Sequence, residues 1–252
     1  MSAPAPAPEN AFAQVHGHPG EGARAWGLWH AWLPVALLLF AMGFAAGSAL
    51  RPEGLREGAA GLALLVLAIA LAWALRRGQG RLARHRLGAL GEQNVAWRLS
   101  LLPKTFHIFH GYPYPGTGKG GGRDLDHVVL GPTGCFLVET KNWPAPLEIR
   151  DGKLLSAGRA YPGAGLGELA ELAARFSDHL RERCGLRVDV VPLLCLANGR
   201  IAAAPVRESG VWLCGLGQVL PLVQSSEHAA LPEALLQRLA DTLAEPYATT
   251  KE

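Results

Sequence analysis

Two long stretches without a charged side chain constrain this chain more than any other feature of its sequence. Residues 26–50 and 58–75 contain no Asp, Glu, Lys or Arg. As α-helices they would reach roughly 37 and 27 Å, close to the ~30 Å hydrocarbon core of a bilayer. The composition agrees, since 49% of the residues are hydrophobic and 18% are charged, a balance too apolar for a purely soluble protein. The sequence therefore predicts a two-helix transmembrane hairpin over 26–75, and the alternative is a pair of buried helices in a soluble fold.

The arginines around these stretches predict the orientation of the hairpin. The basic juxtamembrane linker, 76–87, carries five arginines and no acidic residue, whereas the connector between the two spans carries only Arg51 and Arg56. Because cytoplasmic segments are rich in Lys and Arg, we expect an inner or plasma membrane protein with both termini in the cytoplasm. Residues 1–25 are rich in Pro, Ala and Gly and predict a disordered tail.

The remaining residues, 88–252, are expected to form one soluble domain of nearly neutral charge. They contain 16 Lys and Arg against 17 Asp and Glu, so the net charge of +3 comes from residues 1–87. The basic excess therefore indicates membrane topology and a contact with anionic lipid, and it does not predict a basic nucleic-acid-binding face. A second large domain is excluded because about 165 residues suffice for only one.

Hydrophobic periodicity in this part predicts a mixed α/β fold. Residues 111–122 are so rich in Gly and Pro that they predict a loop. The four cysteines lack the spacing of a zinc or redox site, which predicts reduced thiols in the core. The pattern predicts helices near 87–101, 166–184 and 231–245, and strands near 106–110, 125–130, 135–141, 147–155, 188–196 and 211–214.

The strands on either side of the turn at 131–134 carry the residues of greatest chemical interest. The turn predicts a register in which Asp126 faces Glu139 and Asp124 faces Lys141. Because side chains alternate along a strand, these four would share one face. Two carboxylates so close repel each other, and a divalent cation would compensate their charge. The alternative is an ordinary ion pair between Asp124 and Lys141, with the other carboxylates at a solvated sheet edge.

Four segments around this hairpin form a recognisable set of motifs. They are Gly91-Glu92, Leu101-Leu-Pro103, Asp124-Leu-Asp126-His127-Val-Val-Leu-Gly131-Pro-Thr-Gly134 and Phe136-Leu-Val-Glu139-Thr-Lys141-Asn142-Trp143. Together they resemble the nuclease-related domain, or NERD domain, over about residues 88–200. The resemblance implies a restriction-endonuclease-like fold of the PD-(D/E)xK superfamily, with a central β-sheet flanked by helices.

The resemblance also implies a role for each of these residues. Asp126 would be the motif aspartate, Glu139 and Lys141 the E-x-K pair, and Glu92 the acidic residue on the preceding helix. Asp126, Glu139 and Glu92 would bind Mg²⁺ or Mn²⁺, and Lys141 would position the water that hydrolyses a DNA phosphodiester bond. The alternative is an inactive membrane-anchored module that binds nucleic acid or protein. The neutral domain charge favours that alternative, as does the lack of a glutamine near residues 168–171 that many family members carry.

Other polar residues near the hairpin leave two interpretations open. Lys119 and Arg123 adjoin the acidic cluster, where they would contact a nucleic-acid backbone or simply keep a loop soluble. His127 is expected to point away from the carboxylates as a packing residue, with a catalytic role as the alternative. His107 and His110 lie three positions apart on a predicted strand and so point to opposite faces, which disfavours a shared metal ion.

Overall fold

The computed structural model describes residues 12–19, 21–49, 57–115, 123–143, 147–150, 153–156, 159–185, 187–198, 205–225 and 230–248. The chain divides into two compact units, of which one comprises residues 21–89 and the other contains the rest. The helices are α1 (Glu21–Ala49), α2 (Glu57–Leu99), α3 (Leu166–Cys184), α4 (Val219–Val223) and α5 (Glu233–Ala248).

A mixed β-sheet of seven strands is the centre of the larger unit, which confirms the predicted mixed α/β class. A separate antiparallel sheet contains β5 (Leu147–Arg150), β6 (Lys153–Ser156) and β7 (Arg159–Gly165). In spatial order the large sheet contains β1 (Gln14–His16), β2 (His107–Tyr114), β3 (Arg123–Gly131), β4 (Gly134–Lys141), β8 (Val190–Leu196), β10 (Val211–Gly215) and β9 (Val206–Glu208).

Helices cover both faces of the large sheet. On one face, Phe176 of α3 belongs to the same buried cluster as Leu137 of β4. On the other face, Leu99 at the end of α2 belongs to a second cluster with Phe136 and Val138. Consecutive residues of β4 therefore alternate between two apolar layers, as in a strand that is buried on both sides. Charged side chains at the end of such a strand are close to the core of the domain.

The segment predicted as a disordered tail contains a short strand. Gln14–His16 pair in parallel with β2, and the His16 ring stacks on Phe109 with centroids 4.7 Å apart. The prediction was therefore wrong for residues 12–19. Three residues have no hydrophobic pattern of their own, and this strand depends on the exposed edge of β2 for its hydrogen bonds. Residues 1–11 lie outside the described residues.

The basic linker predicted at 76–87 is helical. Helix α2 runs without a break from Glu57 to Leu99 and joins the second apolar stretch to the helix predicted at 87–101. The linker contains no proline, and its arginines and leucines are good helix formers. The change of composition after residue 75 therefore does not end the helix.

The predicted transmembrane hairpin is not supported, because the structure provides one suitable helix. Of the helices in the described residues, one that begins at Leu62 within α2 is long and apolar enough to cross a membrane. The apolar stretch described in α1, Trp32–Ser48, is shorter than 18 residues. The side chains of residues 21–31 and the connector at 51–56 lie outside the described residues.

Candidate active site

The β3–β4 hairpin has the predicted register near its turn. Leu130 pairs with Cys135, and the regular backbone pairs continue as far as His127 and Val138. The next predicted pair, which contains Asp126, is not part of the ladder. The predicted register is therefore confirmed from the turn to the pair of His127 and Val138. It does not extend to Asp126.

Asp126 also lies at an interruption on the other side of β3. The β2–β3 ladder skips the position that would pair Gly111 with Asp126. Gly111 has a φ of +57°, a left-handed conformation that costs glycine little. The sequence predicted a loop from Gly111 onwards, but β2 continues to Tyr114. It does so because the rings of Tyr112 and Tyr114 are buried in the core.

A side-chain hydrogen bond takes the place of the missing backbone pair. The backbone N–H of Thr140 donates to Oδ2 of Asp126, with an N–O distance of 2.7 Å. Thr140 directly follows Glu139 in β4. Asp126 is therefore held against β4 next to Glu139 by the reach of its side chain, whereas the sequence predicted that backbone pairing would place it there.

Glu139 is buried and forms an ion pair with Lys141. Its side chain is 9% exposed, and its Oε1 lies 2.7 Å from Nζ of Lys141, whose side chain is 28% exposed. The two residues are two positions apart on β4 and so share a face. The burial of Glu139 excludes the alternative that placed it at a solvated sheet edge. That alternative also paired Lys141 with Asp124, whereas this ion pair is with Glu139.

The carboxylates of Glu139 and Glu92 act on the carboxylate of Asp126. Burial raises the pKa of Asp126 well above its usual value, and the charges of Glu139 and then of Glu92 raise this pKa further. The hydrogen bond from Thr140 and the charge of Lys141 lower the same pKa. Glu92 of α2 therefore lies within electrostatic reach of Asp126. Glu139 is buried, and Asp126 and Glu92 are half-buried, so the carboxylates are partly shielded from water here, and such a site is suited to a cation.

The donor atoms of this site fit a hard divalent cation. Carboxylate oxygens are typical ligands of Mg²⁺, which commonly takes one or two of them together with water and phosphate oxygens. Asp126 and Glu139 could supply those two. Within the described segments, no three His, Cys, Asp or Glu side chains form a ready metal-binding group. The assignment of Glu92 as a further ligand, like the identity of the metal, stays a prediction.

The residues predicted to contact nucleic acid are only partly placed. Arg123 begins β3, but its side chain lies outside the described residues, as does all of Lys119. Asp124 is exposed and pairs across the β2–β3 ladder with Pro113. The proposed phosphate contacts therefore stay a prediction.

A buried polar network lies beside the acidic site. His127 is fully buried, with its Nδ1 2.8 Å from Nδ1 of His110 and its Nε2 3.1 Å from Oγ1 of Thr140. Both ring nitrogens thus have partners, as predicted for a packing histidine. The sequence analysis considered His110 only as a metal ligand and missed Thr140. The available signal was a hydroxyl residue between Glu139 and Lys141 on an otherwise apolar strand face.

Burial keeps the two histidines of this network neutral at neutral pH. It lowers the pKa of His110 to about 4, with a smaller contribution from the charge of His18. It also lowers the pKa of His127 well below 6.5, where His110 makes the smaller contribution. Because the two Nδ1 atoms face each other, one must donate a hydrogen and the other must accept it.

The comparison with protein families identifies the part of the chain that carries these residues. Residues 87–197 match the nuclease-related domain, NERD. This result confirms the resemblance drawn from the motifs. The nuclease-related domain contains Glu92, Asp126, Glu139 and Lys141 together with the histidine network, and β9, β10, α4 and α5 lie beyond the matched range.

A shorter similarity relates the chain to an uncharacterized protein of Bacillus anthracis. The two are 40% identical over 57 residues, which cover 22% of this chain and 26% of the relative. The chain therefore spans about a quarter of the length of the curated relative that it matches. No solved structure matches the chain with significance.

Proposed function

We propose that this protein is a membrane-anchored, Mg²⁺-dependent nuclease that hydrolyses phosphodiester bonds of DNA with a restriction-endonuclease-like domain. The observation that carries the proposal is the arrangement on β4 within the nuclease-related domain. Glu139 is buried beside Lys141, and Thr140 holds Asp126 next to them. A buried and a half-buried carboxylate beside a lysine are a chemically reasonable set for metal-assisted phosphoryl transfer.

Each residue of the site has a defined task under this proposal. Asp126 and Glu139 would hold Mg²⁺ or Mn²⁺ through their carboxylate oxygens, and Glu92 would support them. The bound cation would neutralise charge on the phosphate and make a nearby water more acidic. Lys141, whose ammonium already lies beside Glu139, orients the attacking water or stabilises the negative charge that develops.

The proposed test measures DNA cleavage by the full chain in detergent micelles with Mg²⁺ present. Glu139→Gln and Lys141→Met are each expected to reduce the cleavage rate by at least about 100-fold. Glu171→Gln is the matched control because Glu171 is exposed on α3, where it pairs with its helix neighbour Arg175. An active wild type whose rate is unchanged by either site variant would remove the basis of the proposal. An RNA substrate of the same length tests the preference for DNA.

A second candidate function is an inactive module of the same fold that binds nucleic acid. One observation favours it. Lys141 neutralises Glu139 directly. Under this alternative, DNA affinity falls with added salt but is independent of Mg²⁺, and no product forms. Measuring binding and cleavage in the same samples separates the two functions.

Lys119 and Arg123 are proposed to contact the DNA backbone. The proposal rests on their position in the sequence, where they precede Asp124 and Asp126 of the acidic site. Loss of one phosphate contact weakens binding to all sequences alike and lowers the slope of affinity against salt by about 1. Lys119→Ala and Arg123→Ala are expected to show this change, and an unaltered salt slope would exclude the contact.

The proposed membrane anchor rests on apolar side chains that the protein leaves exposed. Phe40 of α1 is 77% exposed, and Ile69 and Trp73 of α2 are 62% and 61% exposed. Large apolar side chains in such numbers are normally covered by lipid or by another protein. Alkaline extraction of membranes that contain the full chain should leave it in the pellet, and release into the supernatant would contradict an integral anchor.

The orientation with both termini in the cytoplasm requires two crossings. Protease protection of tags at the two ends tests it directly, since two crossings place both tags on one side and one crossing places them on opposite sides. The arginine-rich segment 76–87 favours a cytoplasmic C-terminal domain in either case.

A further inference from the structure

We infer that His127 is a positioning residue for the acidic site and acts through Thr140. The inference rests on the proposed nuclease function and adds residues to which the sequence motifs assign no task. It is drawn from the contacts that hold β3 and β4 together beyond the last pair of their ladder.

Thr140 is the point at which the two strands remain joined after their backbone pairing ends. The last regular pair is His127 with Val138. Beyond it, the Thr140 N–H donates to Asp126 at 2.7 Å, and the Thr140 hydroxyl lies 3.1 Å from Nε2 of His127. Two consecutive residues of β3 therefore bind one residue of β4, one to its backbone and the other to its side chain.

His127 is itself held in place by partners that have little freedom to move. Its second ring nitrogen contacts His110, which is 2% exposed, at 2.8 Å. The backbone carbonyl of His110 accepts a hydrogen bond of 2.9 Å from the hydroxyl of Tyr247 on α5. A continuous set of hydrogen bonds thus leads from α5 through β2 and β3 to Thr140. Side chains that are buried and fully bonded hold a precise position.

This arrangement has a specific consequence for the acidic site. The distance between Asp126 and Glu139 depends on the bond from Thr140, because no backbone pair sets it. If Thr140 loses its contact with His127, the carboxylates lose their fixed spacing, although neither carboxylate has been altered. Loss of such supporting partners typically lowers metal affinity or activity by 10–100-fold.

The test compares three threonine variants of the full chain in detergent micelles. Thr140→Val keeps the size of the side chain but removes the hydroxyl, and it is expected to raise the Mg²⁺ concentration needed for half-maximal cleavage by about 10-fold or more. Thr140→Ser keeps the hydroxyl and should stay close to the wild type. Thr133→Val is the matched control, because it removes a 2.6 Å hydrogen bond from the turn of the same hairpin to Val223 without touching the network.

A general loss of stability would not produce this pattern. Thr133→Val and Thr140→Val both lose a hydroxyl bond, so only a positioning role raises the Mg²⁺ requirement in one of them. His127→Leu should raise it as well, and the double variant with Thr140→Val should be no worse than the more severe single variant. Circular dichroism identifies any variant that does not fold, and Thr140→Ser then still reports whether the hydroxyl suffices.

The possible results separate failure of the inference from failure of the proposed function. An active wild type with an unchanged Mg²⁺ requirement in Thr140→Val overturns the inference alone. Effects of His127→Leu and Thr140→Val that multiply in the double variant also overturn it, because the residues would then act independently. A wild type that neither cleaves DNA nor binds Mg²⁺ overturns the proposed function and the inference together.

Discussion

The buried histidine pair makes the stability of the domain sensitive to mild acid. The pKa of His110 is 6.5 in an unfolded chain and about 4 in the folded protein, mainly because the ring is buried. The unfolded chain therefore takes up a proton at a higher pH than the folded protein does. The stabilising contribution of the neutral ring is present above pH 6.5 and is lost as the pH falls towards 4.

The difference between the two pKa values sets the size of the effect. A fall from 6.5 to about 4 corresponds to roughly 3 kcal/mol of unfolding free energy in full, and to about 2 kcal/mol between pH 7 and pH 5. His127 acts in the same direction, since burial lowers its pKa as well. Asp126 acts in the opposite direction because its pKa is raised. The wild type alone therefore cannot isolate the contribution of His110.

A variant without an ionisable ring at position 110 isolates the contribution of His110 to the unfolding free energy. His110→Asn keeps a polar atom near Nδ1 of His127 but has no ionisable ring. Urea unfolding of the full chain in a nonionic detergent, followed by circular dichroism at pH 7, 6 and 5, should show the wild type losing about 2 kcal/mol more than this variant. His85→Asn on α2 is the matched control and should follow the wild type. Equal losses in the wild type and in His110→Asn would refute the reasoning.

Other substitutions test the packing and the charge of the same domain. Gly131→Ala would place a Cβ 2.1 Å from the Phe106 ring and should cost about 1–3 kcal/mol of unfolding free energy, whereas Gly217→Ala, with open space around it, should change little in the same urea assay. Phe176→Ala removes a fully buried ring of α3 and should cost about 3–5 kcal/mol; a loss below 1 kcal/mol would contradict its place in the core. Mg²⁺ should raise the melting temperature of the wild type and not that of Asp126→Asn, and equal shifts in both would argue against a cation at Asp126.

The sequence predicted the structure correctly where local features of a segment determine its conformation. Helix α3 begins and ends at the predicted residues, because its apolar face repeats with helical period and Gly185, with a φ of +71°, ends it. The hairpin register near residues 131–134 was likewise predictable, since a tight turn determines which residues face each other. The four cysteines are free and buried, as their spacing predicted.

Two features that the sequence did not predict, strand β1 and the histidine network, share a physical cause, which is that the deciding partner is distant in the sequence. Strand β1 exists because β2 offers an edge about 90 residues later in the chain. The histidine pair joins positions 110 and 127, and Tyr247 completes it from the last helix. No local pattern contains such contacts, so the sequence indicated a packing histidine but not its partners.

The acidic site shows most clearly which properties the sequence determines and which depend on the tertiary structure. The sequence by itself determined which residue types lie near the hairpin end, because the E-x-K spacing and the turn residues are local properties of the chain. Only the tertiary structure decided how they meet. The left-handed conformation of Gly111 accompanies a gap in the ladder at Asp126, and Thr140 then holds the carboxylate by a hydrogen bond from its backbone N–H. The regular pairing of residues across a hairpin can be predicted from the sequence. An interruption of that pairing depends on the neighbouring strands on both sides.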